Sequence, residues 1–236
     1  MTRTVAVRVA LAVLGTILVV AVVAVLYATR EGDGGDDSRA GSGDAGGEAE
    51  DDGGWYGALV TDPAARPEFT LTDTAGQPYD FGQETAGQLT LLFFGYTNCP
   101  DVCPLQMATL ATALEEPGVP DPVVVFVTTD PARDTPDHLR EWLDNFDTDF
   151  VGLTGTAEEI RAAEDAALVE PSIPIDTEGR PLDEPPAGGQ DYEIGHAAQI
   201  VVYTSDDLTH IVYPAGVQSD AWVADLPRLA EGWTAA

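Results

Sequence analysis

The sequence predicts an α/β domain, with a central mixed sheet flanked by helices, preceded by one transmembrane helix. Three features support this prediction. Residues 55–236 alternate short apolar runs with segments of helical spacing, the pattern of a sheet with helices on both faces. Nineteen consecutive positions, Val9 to Tyr27, carry no formal charge, and residues 31–54 offer almost nothing for a core to bury. We therefore divide the chain into residues 1–30, 31–54 and 55–236.

The uncharged run from Val9 to Tyr27 is predicted to be a membrane anchor. As a helix it spans about 28 Å, close to the hydrocarbon thickness of a bilayer. A cleaved signal peptide is the alternative, but its apolar region is usually shorter, about 7–15 residues. Arg3 and Arg8 precede the run, and cytoplasmic flanks carry an excess of basic residues. We expect a single-pass protein of the cell membrane, with its N-terminus cytoplasmic and its folded domain extracytoplasmic.

Residues 31–54 are predicted to be a disordered tether. They contain nine glycines and nine acidic residues in 24 positions, with no aromatic or large aliphatic side chain. Such a segment buries too little apolar surface to fold, and as a flexible coil it spans on the order of 27 Å. The 182 residues that follow are enough for one domain with a buried core.

The folded domain is predicted to place a strand and helix alternation between two strand hairpins. The apolar runs Leu89 to Phe94 and Val123 to Thr128 indicate strands covered on both faces. Other strands are expected over 68–71, 79–81, 150–153, 198–204 and 209–213, and helices over 105–114, 136–145, 156–168 and 219–231. The 27 residues from Val169 to Gly195 exceed ordinary loop lengths and are predicted to be a functional or mobile loop.

The composition excludes several classes of protein. A hydrophobic content of 44% rules out a wholly disordered chain. Acidic residues number 41 against ten basic residues, all arginine, which gives a formal net charge of −31. Nucleic-acid binding is therefore disfavoured, because it depends on a basic surface. With two cysteines and three histidines, any metal or thiol chemistry must be concentrated in one place.

Both cysteines, Cys99 and Cys103, lie between a predicted strand and a predicted helix. Backbone N–H groups and the helix dipole at such a turn are expected to lower the pKa of both thiols. The i and i+4 spacing places the sulfurs on one face if the turn is helical. Two thiolates favour Cu(I), with zinc as the commoner competitor. A disulfide and a pair of inert buried thiols are the alternatives, although strand-to-helix turns are where α/β proteins build sites.

The segment GYTNCPDVCP, residues 95–104, resembles the signature of the SenC/Sco copper proteins, which have a thioredoxin-like fold. Residues 129–136, TDPARDTP, and residues 150–155, FVGLTG, are similar to two further blocks of that family. The three blocks occur in family order, and the resemblance covers most of residues 60–231. Thioredoxins proper have two residues between their cysteines, so the three residues here separate the subfamilies.

The resemblance implies a membrane-tethered protein that binds copper, with Cu(I) expected and Cu(II) left open. It also implies a role in assembling cytochrome c oxidase, either delivering copper to the binuclear site of subunit II or reducing the cysteines of that site. The copper donor is not implied. Matched by position, the metal ligands are Cys99, Cys103 and His196. Among the histidines, His196 also stands at a loop-to-strand junction, whereas His138 lies on a polar helical stretch and His210 inside a hairpin strand.

The neighbours of His196 depart from the family pattern. Gly195 and Ala197 stand where the family typically has Asp and Ser. The missing carboxylate removes a hydrogen bond that could orient the imidazole, so we expect a lower metal affinity than is usual in the family.

Two other functions are consistent with the same residues. A thiol–disulfide reductase without metal would use Cys99 as the attacking thiolate and Cys103 as the resolving thiol. A docking domain that merely keeps the fold would not need either cysteine. Met107, Asp130 and Asp134 are secondary candidates, since core packing, helix capping and a local ion pair explain them.

Overall fold

The computed structural model describes residues 54–186 and 191–233. Ten strands are present among them: β1 (Ala58–Ala65), β2 (Thr70–Asp73), β3 (Pro78–Asp80), β4 (Thr90–Gly95), β5 (Val123–Thr128), β6 (Val151–Thr154), β7 (Ile173–Asp176), β8 (Tyr192–Gly195), β9 (Ile200–Tyr203) and β10 (Leu208–Tyr213). The helices in this part of the chain are α1 (Phe81–Glu84), α2 (Val102–Leu114), α3 (Pro136–Leu143), α4 (Ala157–Ala166) and α5 (Ser219–Ala230).

Eight strands form one mixed sheet in the order β1-β10-β9-β4-β5-β6-β2-β3, and β7 pairs with β8 separately. Strand β4 is central: it runs parallel to β5 and antiparallel to β9. All six of its residues are buried, as expected for a strand covered on both faces. The carboxyl end of β4 therefore lies beside the amino end of β9. The residues that follow β4 and those that precede β9 meet at this edge of the sheet.

The two faces of the sheet pack against different helices. Successive side chains of β4 point to opposite faces, so Phe93 joins one core cluster and Phe94 the other. The first cluster includes residues of α2, α3 and α5, among them Met107 and Trp222. The second includes residues of α1 and α4. This arrangement confirms the predicted sheet with flanking helices.

Most predicted elements occur in the structure within a few residues of their predicted bounds, but strand β1 was not expected. Six of its eight residues are exposed, its sequence includes Pro63, and its pairing with β10 is irregular between Leu59 and Ala64. An exposed edge strand does not need apolar alternation, so the sequence gives no period-2 signal there.

The loop prediction for residues 169–195 was wrong in part, because this stretch contains the antiparallel pair β7 and β8. Tyr192 and Ile194 alternate as buried residues in β8, but four residues are too few to stand out within a segment rich in proline and glycine. The consequence is functional: β8 leads directly into His196.

The anchor predicted over residues 9–27 and the tether over 31–54 lie outside the described residues, apart from Gly54. Within residues 54–186 and 191–233, no helix has the length and apolar character needed to span a membrane.

Candidate metal centre

The loop between β4 and α2 positions both cysteines. Asp101 caps α2 by accepting a hydrogen bond from the backbone N–H of Val102, so Cys103 lies in the first helical turn. Cys99 lies before the helix, in a turn closed by a hydrogen bond from its own N–H to the carbonyl of Tyr96 (3.2 Å). The i and i+4 spacing thus brings the sulfurs together through a turn followed by a helix start.

Glycine at position 95 gives the thiol of Cys103 its space. A Cβ atom on Gly95 would lie 2.9 Å from Cys103 Sγ and 2.8 Å from the ring of Phe93, closer than real Cβ atoms approach other atoms. The close packing of the β4 terminus against α2 therefore depends on the absence of a side chain.

His196 completes a three-residue cluster at the same sheet edge. It precedes β9, whose amino end lies beside the carboxyl end of β4. Its Nε2 is 3.6 Å from Cys103 Sγ, and the ligand atoms of Cys99, Cys103 and His196 all lie within 4.8 Å of one another. No other group of three or more potential metal ligands occurs among residues 54–186 and 191–233. Cys99 and Cys103 are buried and His196 is half-buried, so the histidine is the most exposed residue of the three.

The imidazole is oriented with Nε2 toward the sulfur of Cys103. Nδ1 of His196 lies 3.3 Å from the carbonyl oxygen of Ala197. This contact is a hydrogen bond in the tautomer that carries its proton on Nδ1, and in that tautomer Nε2 presents its lone pair to the sulfurs. The ring also makes edge contacts with Phe93 and Tyr96, at centroid distances of 6.0 and 5.6 Å.

The pKa values of the two thiols shift in opposite directions. A hydrogen bond from the thiol of Cys103 holds the pKa of Cys99 well below its usual range, with a further contribution from His196. The same hydrogen bond, together with burial, raises the pKa of Cys103. The expectation that both pKa values fall is therefore wrong for Cys103. Of the two thiols, Cys99 is therefore the one that loses its proton more readily.

A buried carboxylate secures the start of the cysteine loop. Asp134 accepts hydrogen bonds from the N–H and hydroxyl of Thr97 (2.9 and 2.5 Å) and from the hydroxyl of Thr128 (2.6 Å). Its burial raises its pKa above the usual range. His138 also bonds to the Thr97 hydroxyl, at 3.0 Å. These residues fix the loop from outside the cluster of potential ligands.

Asp130 stabilises the segment that leads to His196. It accepts hydrogen bonds from the hydroxyl of Tyr192 (2.6 Å) and from the guanidinium of Arg133, which lies 3.7 Å from the Tyr192 ring centroid. Met107 is buried in the core, as its helical spacing suggested. His210 bonds to Asp206 and stacks on Trp233, and it is not part of the cluster.

The sequence pattern does not single out Gln106. Its side chain is buried on α2, and its amide nitrogen donates a hydrogen bond to the carbonyl of Ala198 at 2.7 Å. The available signal was a polar residue three positions after Cys103, which places it on the same helical face.

The donor set suits a soft metal ion. Two thiolate sulfurs and one imidazole nitrogen match Cu(I), and zinc is the usual competitor for such ligands. Three donors also differ from the four ligands of a closed structural zinc site.

A family model described as SCO1/SenC matches residues 59–231. The chain belongs to the SCO1/SenC family. This assignment confirms the resemblance seen in the cysteine segment, and the mixed sheet with helices on both faces fits the thioredoxin-like fold expected of the family.

Curated relatives match over part of their length. Protein SCO2 homolog, mitochondrial, of Bos taurus is 36% identical over 126 residues, which cover 52% of this chain and 44% of the relative. Protein SCO1 homolog 1, mitochondrial, of Arabidopsis thaliana is 44% identical over 80 residues, 32% of this chain and 24% of the relative. The chain thus spans less than half the length of these relatives.

Solved structures resemble the domain over most of their length. Copper-bound ScoI of Arabidopsis thaliana is 26% identical with a TM-score of 0.60, covering 72% of this chain and 100% of that structure. Copper-bound yeast Sco1 is 25% identical with a TM-score of 0.61, covering 74% and 92%. Apo Sco1 of Thermus thermophilus is 29% identical with a TM-score of 0.62, covering 74% and 96%.

Proposed function

We propose that this protein is a copper chaperone that holds one Cu(I) ion, as cargo, on Cys99, Cys103 and His196. The observation that carries the proposal is the convergence of the three ligand atoms within 4.8 Å. The copper-bound structures of the Arabidopsis and yeast relatives support the choice of metal.

The protonation states favour uptake of a soft cation. Cu(I) binds two thiolates and a neutral imidazole nitrogen, and the low pKa of Cys99 makes the proton of Cys103 the main one that binding has to displace. The half-buried side of His196 leaves room for an incoming ligand. Thiolates of a partner can then displace the three donors one at a time, and copper passes to the partner without release to water.

We further propose that the recipient is subunit II of cytochrome c oxidase and that the domain acts outside the cytoplasm, anchored by residues 9–27. The resemblance in residues 95–104 supports the oxidase role, and the run of 19 uncharged residues supports the anchor. BsSco, which shares the fold at 20% identity, is described as a member of the Sco family of cytochrome c oxidase assembly proteins.

A second candidate function is reduction of the recipient's cysteines, favoured by the low pKa of Cys99. The Cys99 thiolate would attack a partner disulfide and release one partner thiolate. Cys103 would then lose its proton and displace the second partner thiolate, forming a Cys99–Cys103 disulfide. The partner gains two electrons and the chaperone loses two.

The test is Cu(I) titration of the full chain, purified reduced in detergent, against a chromophoric Cu(I) chelator. We expect one copper per chain, loss of binding in the double variant Cys99→Ser, Cys103→Ser, and weaker binding in His196→Ala. His210→Gln is the matched control, since it exchanges a histidine outside the cluster. Wild-type affinity in His196→Ala would refute the ligand assignment. Insulin reduction by a chain that takes up no copper would favour the reductase.

A further inference from the structure

The side chain of Gln106 ties helix α2 to the segment that carries His196. Its amide nitrogen donates to the carbonyl oxygen of Ala198, two residues beyond His196, at 2.7 Å. Gln106 is one helical turn beyond Cys103 and on the same face. The hydrogen bond therefore connects the helix that holds one sulfur to the backbone that holds the imidazole.

Of the two polar atoms of this amide, only the nitrogen makes a hydrogen bond among the described residues. The side-chain oxygen of Gln106 is buried and has no hydrogen-bond partner among the described residues. An unsatisfied buried oxygen costs more than a single hydrogen bond usually contributes to stability. An apolar side chain of the same length would avoid this cost, and the half-buried Ala198 could turn its carbonyl toward water. The fold alone thus gives no reason for glutamine at this position.

The segment from His196 to Ala198 has few other ties. It lies between β8 and β9, outside both strands. The hydrogen bond from His196 Nδ1 to Ala197 is internal to the segment, and the contacts with Phe93 and Tyr96 are edge contacts of rings. Two hydrogen-bond contacts link this segment to α2 among the described residues: the Gln106 amide to the carbonyl of Ala198, and His196 Nε2 to Cys103 Sγ at 3.6 Å. The first is the one that does not involve a ligand atom of the cluster.

We propose that Gln106 is a positioning residue that sets the distance between His196 Nε2 and the two sulfurs. This inference rests on the proposed copper function. Without the hydrogen bond to Ala198 the imidazole moves away from the sulfurs, and bound Cu(I) loses its nitrogen donor while it keeps both thiolates.

The test uses the full chain in detergent and Cu(I) itself as the probe. In Gln106→Met, and in Gln106→Asn, whose amide is one methylene too short to reach Ala198, we expect Cu(I) affinity about tenfold weaker than wild type. The imidazole scattering signal at the copper K edge should weaken in both. The Tm of the metal-free Gln106→Met protein should be equal to or slightly higher than that of the metal-free wild type. Gln218→Met is the matched control, because it removes a glutamine amide that donates to the carbonyl of Gly216 at 2.8 Å, near the start of α5.

A double-mutant cycle separates positioning from a general structural effect. In a His196→Ala background, Gln106→Met should weaken Cu(I) binding no further, because it acts through the imidazole. Additive losses, wild-type affinity in both Gln106 variants, or failure of both to fold would overturn the inference. Wild-type affinity in His196→Ala would overturn the ligand assignment and this inference together, whereas an effect of His196→Ala without one of Gln106→Met would overturn this inference alone.

Discussion

Asp207, at the turn between β9 and β10, combines a left-handed backbone conformation with an ion pair and hydrogen bonds of its carboxylate. It has a positive φ of 61°, and its carboxylate accepts hydrogen bonds from the N–H of Gly87 and from Nε of Arg66, each at 2.8 Å. The buried guanidinium of Arg66 also donates to Thr85 and to the carbonyl of Gln88. The Gly87 N–H, and then Arg66, hold the pKa of Asp207 below its usual range.

We predict that Asp207→Asn lowers the free energy of unfolding at pH 7 by about 0.5–1 kcal/mol, as for a partly exposed ion pair. Asparagine tolerates the positive φ, so the change removes mainly charge. Because the native pKa is depressed, this stabilisation is present above the unfolded pKa of about 3.9 and is lost as pH falls through the native pKa. Urea unfolding of both proteins from neutral to acidic pH should show the difference closing. Asp62→Asn, on the exposed β1, is the control, and a difference independent of pH would contradict the argument.

The site residues differ in how far the sequence could predict them. Cys99 and Cys103 lie four positions apart in a recognisable segment, and His196 follows from its place in the family pattern. That the three lie together is a finding of the structure. Gln106 could not be predicted, because its importance depends on where the carbonyl of Ala198 lies, 92 residues further along the chain. The unequal pKa values of the thiols likewise depend on burial and on a hydrogen bond between the two sulfurs.

Among the elements, buried strands could be predicted and exposed ones could not. Strand β5 is a continuous apolar run because helices cover both its faces. Strands β1 and β7 are largely exposed or half-buried, so their pairing partners hold them in place and their own sequences carry little signal. The sequence therefore predicts a loop for the long stretch before His196. In the structure, β8 lies within this stretch, and its pairing with β7 fixes the backbone that directly precedes the histidine.

The junction of β4 and α2 is predicted to tolerate no side chain at position 95. Gly95→Ala should lower the free energy of unfolding by about 1–3 kcal/mol through overpacking against Phe93 and Cys103. Cu(I) affinity should fall as well, because Sγ of Cys103 is displaced. Denaturant unfolding and Cu(I) competition measure the two effects.

Gly195→Ala is the matched control for this junction. A Cβ there would meet Ile173 at 3.5 Å, an ordinary contact, so stability should change by less than about 0.5 kcal/mol. Equal losses of stability in the two variants would show that the close contact with Cys103 is not the cause.

At the scale of the whole molecule, the metal centre follows from the order of the strands. The parallel pair β4 and β5 places the loop after β4 at one sheet edge, and the antiparallel partner β9 brings the residues that precede it to the same edge. For this reason two cysteines four residues apart meet a histidine that lies 93 residues after the second of them.

The charge of the whole molecule leads to a prediction about salt. Residues 55–236 contain 32 acidic residues against six arginines and no lysine, so the folded state repels itself. Between about 0.1 and 1 M NaCl the screening length falls from about 10 to about 3 Å, which relieves this repulsion. We expect screening to stabilise the domain by about 2 kcal/mol over this range. At roughly 2–4 °C per kcal/mol for a domain of this size, the Tm should rise by about 5 °C.

A charge-reduced variant tests whether screening is the cause. Glu115, Glu116 and Asp121 are exposed between α2 and β5 and lie close together in the chain. The triple variant Glu115→Gln, Glu116→Gln, Asp121→Asn should be more stable than wild type at low salt and should gain less on addition of NaCl. If the variant gains as much as wild type, salt acts by strengthening apolar burial, which does not depend on these charges. If neither protein responds to salt, self-repulsion contributes little to the stability of the domain.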